Sequence, residues 1–232
     1  NPLMSLLKLT TSFYPLFYDI LFLIQARSNV KGTITCMKLL LGRKFKDPSA
    51  QAEMAKAPFD CVELDNGGIG IKVWYNDEET TLPAEHYMAM MLTKANDIVK
   101  AANKDVAIGD MVLAVPPYFN NSQRAAILRA CEIASLNCLK VVNESTSIAL
   151  SYGIFKSAKK LFDEKEPTTV MFIDLGYTCF TVCCCEFVQG KMKMLGSVCD
   201  TFGGRDYDDA LIEYCAEEFK TIISRCDFLV AE

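Results

Sequence analysis

Apolar residues alternate between two rhythms along this chain, and the switches between them divide it into elements. Asp47-Pro48 opens a helical stretch that runs through Lys56, and Pro58 closes it. Cys61 to Leu64 and Ile71 to Tyr75 are rich in strand-forming residues. Asp65-Asn66-Gly67-Gly68 joins them with residues that tolerate positive φ, so the spacing predicts a hairpin. Thr80-Thr81-Leu82-Pro83-Ala84-Glu85 reads as a helix opener, after which Met88, Met91, Leu92, Ala95 and Val99 recur at helical spacing. The methionines among them are expected in the core. Met111 to Val115 reads as a fully buried strand broken by Pro116-Pro117. The next helix, capped by Asn121 or Ser122, runs to Ala134. Leu139 to Val142 is the following strand, and Asn143-Glu144-Ser145-Thr146 turns into a helix predicted to end near Gly153.

A charged stretch from Lys156 to Pro167 separates this region from a second one. There, Val170 to Ile173 is a strand, Asp174-Leu175-Gly176 a tight turn and Cys179 to Phe187 a second strand. Gln189-Gly190 turns the chain into a third strand, Met192 to Val198. Phe202-Gly203-Gly204-Arg205 then leads into a helix from about Asp206 to Phe219. Strands alternating with helices define an α/β protein. Three antiparallel strands, the first ending in Asp and the third followed by a helix, resemble the opening of the ribonuclease-H-like fold of actin-type ATPases.

Composition narrows the function classes. The chain of 232 residues is 51% apolar, enough for a core, and its net charge of −5 comes without any basic run interleaved with aromatics. Nucleic acid is therefore not an expected partner. Eleven cysteines are scattered without a C-x-x-C pair, and only His86 could join them at a zinc site. Cys183, Cys184 and Cys185 are consecutive and on a strand point to alternate faces. The cysteines read as reduced, mostly buried thiols of a cytoplasmic protein. Phe13 to Ile24 is almost wholly apolar but shorter than the roughly 20 residues a bilayer span needs, and it makes a poor secretory signal. No membrane association is expected, and residues 1–27 have no assigned role. The chain begins at Asn1 without methionine, which reads as a fragment or an imperfect gene model.

Chemistry could sit at a few points, each with a plainer alternative. Asp174-Leu175-Gly176 presents a carboxylate at a strand end, and Gly176 lets backbone approach a ligand, so the turn could face phosphate and a hydrated Mg²⁺. Taken alone, the tripeptide reads rather as a simple hairpin turn with an acidic residue. Glu144 lies between a strand and a helix, where its carboxylate can face a cleft, although the segment also serves as a helix cap. Lys38 alone reads as a solvated amine. Gly203-Gly204 could place a helix N-terminus near an anion or simply provide flexibility.

Longer segments carry a resemblance. Val115-Pro116-Pro117-Tyr118-Phe119-Asn120-Asn121-Ser122-Gln123-Arg124 is similar to V-P-A-Y-F-N-D-S-Q-R of the seventy-kilodalton heat-shock protein superfamily. Asn143-Glu144-Ser145-Thr146 through Ala149-Leu150-Ser151-Tyr152-Gly153 resembles its N-E-P-T-A-A-A-L-A-Y-G. Lys38-Leu39-Leu40-Leu41-Gly42-Arg43 resembles K-R-L-I-G-R, and Asp174-Leu175-Gly176 stands where the family has D-L-G-G-G-T. The likeness covers about Ser28 to Phe219. Gly70-Ile71-Lys72-Val73, Leu136-Asn137-Cys138-Leu139 and Phe202-Gly203-Gly204-Arg205 are similar to the large, hundred-and-ten-kilodalton, nucleotide-exchange-factor branch.

The resemblance implies an actin-like ATPase fold, incomplete here, with most of lobe one and the start of lobe two. Residues 28–86 would be a small peripheral subdomain of lobe one, 87–166 its core subdomain and 167–232 a partial core subdomain of lobe two. It implies ATP or ADP with Mg²⁺ as ligands. Lys38 would approach the γ-phosphate and attacking water. Glu144 and Asp174 would hold the magnesium hydration shell, and Asp174 could accept the water's proton. Gly176, Gly203 and Gly204 would frame the nucleotide, while Pro116 and Arg124 would relay its state to the rest of the protein. The implied partners are a chaperone's nucleotide-binding domain and unfolded clients. Tyr177 and Thr178 stand where the family has loop glycines, Cys179 where it has threonine and Thr181 where it has Asp. Hydrolysis is accordingly expected to be weak at most, and the fragment itself inactive.

Overall fold

The computed structural model describes residues 32–75, 78–103 and 109–229; the apolar segment 1–27 lies outside them. The chain divides into two compact units, residues 1–111 with 120–139 and residues 112–119 with 140–232.

In the first unit the short helix α1 (Met37–Leu40) buries Met37, Leu39 and Leu40. Helix α2 (Pro48–Lys56) has proline at its first turn and Asp47 as cap, whose carboxylate accepts from the Ser49 N–H at 3.0 Å. These Ser49 hydrogen bonds, with the Arg43 guanidinium 3.3 Å away, hold the Asp47 carboxyl below its ordinary value. Strands β1 (Cys61–Glu63), β2 (Ile69–Tyr75) and β3 (Glu78–Pro83) form an antiparallel sheet in that order. The expected hairpin is present, with Gly67 at φ 71° in its turn. Strand β3 replaces the expected helix opener. Its β-branched Thr80 and Thr81 pair with Val73 and Lys72, and the helix starts only after Pro83.

That helix, α3 (Ala84–Ala102), buries Met88, Ala89 and Leu92, whereas Met90 and Met91 are exposed, so the methionines divide between core and surface. Helix α4 (Asn121–Ile133) packs on α3, with Arg129 and Glu85 paired at 2.9 Å. Its cap is Asn120, one residue before the expected pair. Asn120 accepts from the Gln123 N–H at 3.0 Å, and the Gln123 side chain accepts from the Asn120 N–H at 3.1 Å. This reciprocal box satisfies two helix-end donors, which neither Asn121 nor Ser122 does here. Gly42, at φ 69°, meets the start of α4 so closely that a Cβ would sit 2.7 Å from the Gln123 Cα.

The boundary between the units runs through β4 (Asp110–Val115) and β5 (Asn137–Asn143), which pair with one another. β4 is covered on one face only. Its residues alternate in burial and Val112 is exposed, contrary to the expectation of a fully buried strand.

The second unit holds helix α5 (Glu144–Ala158), the antiparallel meander β6 (Thr168–Leu175), β7 (Phe180–Val188) and β8 (Lys191–Asp200), and helix α6 (Gly204–Leu229). Along β7 the odd-numbered residues Thr181, Cys183, Cys185 and Phe187 are buried and the even ones half-buried, so the three consecutive cysteines do alternate between faces. Helix α5 lies over the buried face. Near its C-terminal end Phe187 stacks on Phe162 with ring centroids 5.1 Å apart, and Tyr152 meets Phe187 edge-on at 5.5 Å. Gly153 lies inside α5 rather than at its end. Its missing Cβ leaves room for the Phe187 ring, which a methyl group would approach to 2.8 Å. On the opposite face of the sheet Met171, Ile173 and Val198 are exposed.

Candidate functional site

At the other end of α5 the same strands form a polar corner. Asp174 is the penultimate residue of β6 and pairs with Thr181 of β7, so the two side chains emerge on the same face, the one that α5 covers. Glu144 is the first residue of that helix, and the Cys183 thiol lies 3.9 Å from the Ser145 carbonyl that follows it. Glu144 is close enough to Cys179 for its charge to help raise that thiol. Register and helix direction thus bring Glu144, distant in sequence, to the corner formed by Asp174, Cys179 and Thr181. Glu144 is half-buried and Asp174 exposed, so the carboxylates face outward while Thr181 and Cys179 are buried behind them.

The intervening loop is tightly held. The Gly176 N–H donates to the Cys179 carbonyl at 2.9 Å, closing the turn. The Gly176 and Tyr177 carbonyls accept from the Gly204 and Arg205 N–H groups, both at 2.9 Å, and the Gly203 N–H donates to the Asp206 carboxylate at 2.8 Å. Donors at the start of α6 are thereby satisfied by the loop and by Asp206. Gly203 and Gly204 bring helix and loop together. A Cβ on Gly203 would lie 2.6 Å from the Gly176 carbonyl oxygen and would also strike the Tyr177 carbonyl. Asp174 and Leu175 belong to β6, so the turn begins at Gly176, not at Asp174.

Two thiols complete the corner. Cys179 Sγ lies 2.9 Å from Cys199 Sγ on β8 and 3.4 Å from Thr181 Oγ1, and Thr181 Oγ1 lies 3.2 Å from Cys199 Sγ. Burial, then the contact with Cys199, pushes the Cys179 thiol up to about 11, and the nearby Glu144 charge adds to this.

Lys38 is exposed on α1, in the first unit, together with Arg124 on α4; Pro116, buried behind β4, belongs to the second. The corner therefore unites Glu144, Asp174, Gly176, Gly203 and Gly204 of the expected site. Sequence reasoning missed Cys199 and Ser145. The Ser145 hydroxyl is buried without a hydrogen-bond partner among the described residues. Its signal was visible, since Ser145 stands where the similar family segment has proline. Cys199 could have been found only from the register, which sets it opposite Thr181.

Among the described residues no three His, Cys, Asp or Glu side chains gather as a metal cluster; besides Asp206, which holds the Gly203 N–H, the carboxylates of the corner are Glu144 and Asp174. That set suits Mg²⁺, which keeps several waters and takes one or two carboxylates beside phosphate oxygens. It does not suit a metal held wholly by protein.

A meander with Asp174 one residue before the end of its first strand, a loop clamped to the following helix and a second acid at a helix start thus stand together in the second unit. The family described as Hsp70 protein matches residues 24–227, and the chain belongs to it. It is 39% identical over 198 residues to Heat shock 70 kDa protein 4L of Homo sapiens, covering 85% of this chain and 23% of that protein. With Heat shock 70 kDa protein 4 of Rattus norvegicus the identity is 38% over 196 residues, covering 84% and 23%. The 97 kDa heat shock protein of Strongylocentrotus purpuratus is 38% identical over 198 residues, covering 85% and 22%. The resemblance to the superfamily and to its large branch therefore stands. The chain spans less than a quarter of the length of these relatives. Membership implies the actin-like ATPase fold, of which the α/β units are part, and a family habit of binding adenine nucleotides with Mg²⁺. Among the described residues no helix is long and apolar enough to cross a membrane.

Proposed function

We propose that this chain supplies Mg-nucleotide contacts to a cytoplasmic co-chaperone of the large Hsp70 branch. That protein would bind ATP, promote ADP release from a partner chaperone's nucleotide-binding domain and hold unfolded clients. The observation that carries this reading is the corner itself: Asp174 on the α5 face, opposite Thr181, and Glu144 at the helix start, beside the buried Cys179. In this reading Glu144 and Asp174 orient the waters of a bound Mg²⁺, which neutralises phosphate charge. Gly176 shapes the loop, and Gly203 and Gly204 keep α6 against it. Lys38 approaches the γ-phosphate, and Pro116 and Arg124 relay nucleotide state. Residues 28–86, 87–166 and 167–232 then form the peripheral and core subdomains of lobe one and part of the core of lobe two.

Hydrolysis is slow or absent in this reading. Thr181 offers a hydroxyl already engaged with two thiols, and the exposed Tyr177 places a side chain beside the loop. The test is release of fluorescent ADP from a partner Hsp70 chaperone: acceleration by this protein supports the exchange reading, and an unchanged release rate contradicts it. A hydrolysing chaperone is the rival reading. Single-turnover hydrolysis abolished by Asp174→Asn would establish it in place of the exchange function.

A further inference from the structure

We propose that Cys179 and Cys199 are a reversible redox pair, closing to a disulfide that pins the Gly176–Cys179 loop to strand β8. The bond follows from geometry alone, whereas its effect on nucleotide rests on the function proposed above. Three observations carry it. The sulfurs already lie 2.9 Å apart, so an S–S bond of about 2.0 Å needs them to move by less than about 1 Å. Cys199 lies on β8 paired to Thr181, and Cys179 is the loop residue just before β7, two positions before Thr181, whose hydroxyl touches both sulfurs. Finally, Cys179 ends the turn that Gly176 closes, so a bond at its sulfur constrains the loop itself.

The two thiols differ in access, which orders the chemistry. Cys199 is half-buried, whereas Cys179 is 8% exposed. With hydrogen peroxide as oxidant, the Cys199 sulfur takes one oxygen as the O–O bond breaks, giving a sulfenic acid and one water. The Cys179 sulfur then displaces that oxygen. The S–O bond breaks as S–S forms, and the Cys179 proton leaves with the oxygen as a second water. Both sulfurs together lose two electrons and the peroxide gains them. A dithiol reductant reverses the reaction by exchange.

Closure also removes the S–H groups beside the Thr181 hydroxyl, which lies directly opposite Asp174. The oxidised loop should therefore bind Mg-ATP about tenfold more weakly. The test treats the purified chain with hydrogen peroxide, alkylates the remaining thiols and maps peptides by mass. The expected product is two hydrogens lighter, joins Cys179 to Cys199 and reverts with dithiothreitol, while Cys199→Ser forms no such link. Both cysteines remaining alkylatable, or a bond formed instead between Cys131 and Cys138, would overturn the pair. Differential alkylation of the unmodified sequence gives the same answer should a variant fold poorly. Calorimetry with Mg-ATP then compares the two states. Equal affinity overturns the latch, whereas a bond that forms in a chain showing no binding even when reduced upholds the pair and refutes the nucleotide reading.

Discussion

Helix α5 and strand β7 run alongside each other, and their two ends are built for different purposes. At one end Phe187, Phe162 and Tyr152 pack ring against ring around Gly153 and Ala149, with no charged side chain in the cluster. At the other, the same face of β7 carries Thr181, with Cys179 just before the strand and Glu144 and Asp174 beside them, and the loop is fixed by backbone hydrogen bonds rather than apolar packing. The aromatic end stabilises the unit by burying apolar surface. The loop end contributes less burial but presents acids outward on a rigid frame, as a binding site requires. The strand's alternation makes this possible, because one buried row of side chains can change from apolar to polar without a change of backbone.

The largest expected break in this comparison is at the aromatic end. Phe187→Ala removes the centre of the cluster and should cost about 3–5 kcal/mol in denaturant unfolding. The corner's ligand affinity should hold under conditions where the variant remains folded. Gly153→Ala brings a methyl group to 2.8 Å from the Phe187 ring, and overpacking should exceed the helix-propensity gain of about 1 kcal/mol. A net loss of about 1 kcal/mol is expected, and a gain would show that the ring shifts freely. At the loop end the order reverses. Asp174→Asn, at an exposed position, should change unfolding free energy by less than about 0.5 kcal/mol while weakening Mg-ATP binding at least roughly tenfold in calorimetry.

A further effect is on pH dependence and joins the two ends. Burial raises the Cys185 thiol at the aromatic end and the Cys179 thiol at the loop end from 9.0 to about 11. The fold holds these protons more tightly than the unfolded chain does. Their stabilising contribution is complete below pH 9 and is lost as pH rises through 11. A melting temperature that falls across that window, and falls less in Cys185→Ala, is the expected result.

Much of this division was legible in the sequence because it rests on local patterns. The alternation of Cys183, Cys184 and Cys185, the glycine turns at Gly67 and Gly190, and the Asp ending the first meander strand are read from neighbouring residues. Gly153 was misread as a helix end because a glycine that makes room for a distant ring looks like one that stops a helix. The strand at Thr80 and Thr81 was missed because its evidence is a partner, β2, and not a periodicity. Likewise, the Asn120 cap depends on the answering Gln123 side chain, three residues on, outweighing two adjacent candidates. At the corner, Glu144 and Asp174 were found through longer family-like segments, since an isolated acid has no signature. Cys199 belongs to the corner only through strand register, which no local motif encodes.

The central claim is that Glu144 and Asp174 act together on one hydrated cation. Its most direct measurement is calorimetric titration of the chain with ATP, with and without Mg²⁺, beside Glu144→Gln, Asp174→Asn and the double variant. The account predicts binding that needs Mg²⁺, a loss in each single variant and a double loss smaller than the sum of the two, the mark of a shared ligand. Binding that is indifferent to Mg²⁺, or losses that add independently, would contradict it.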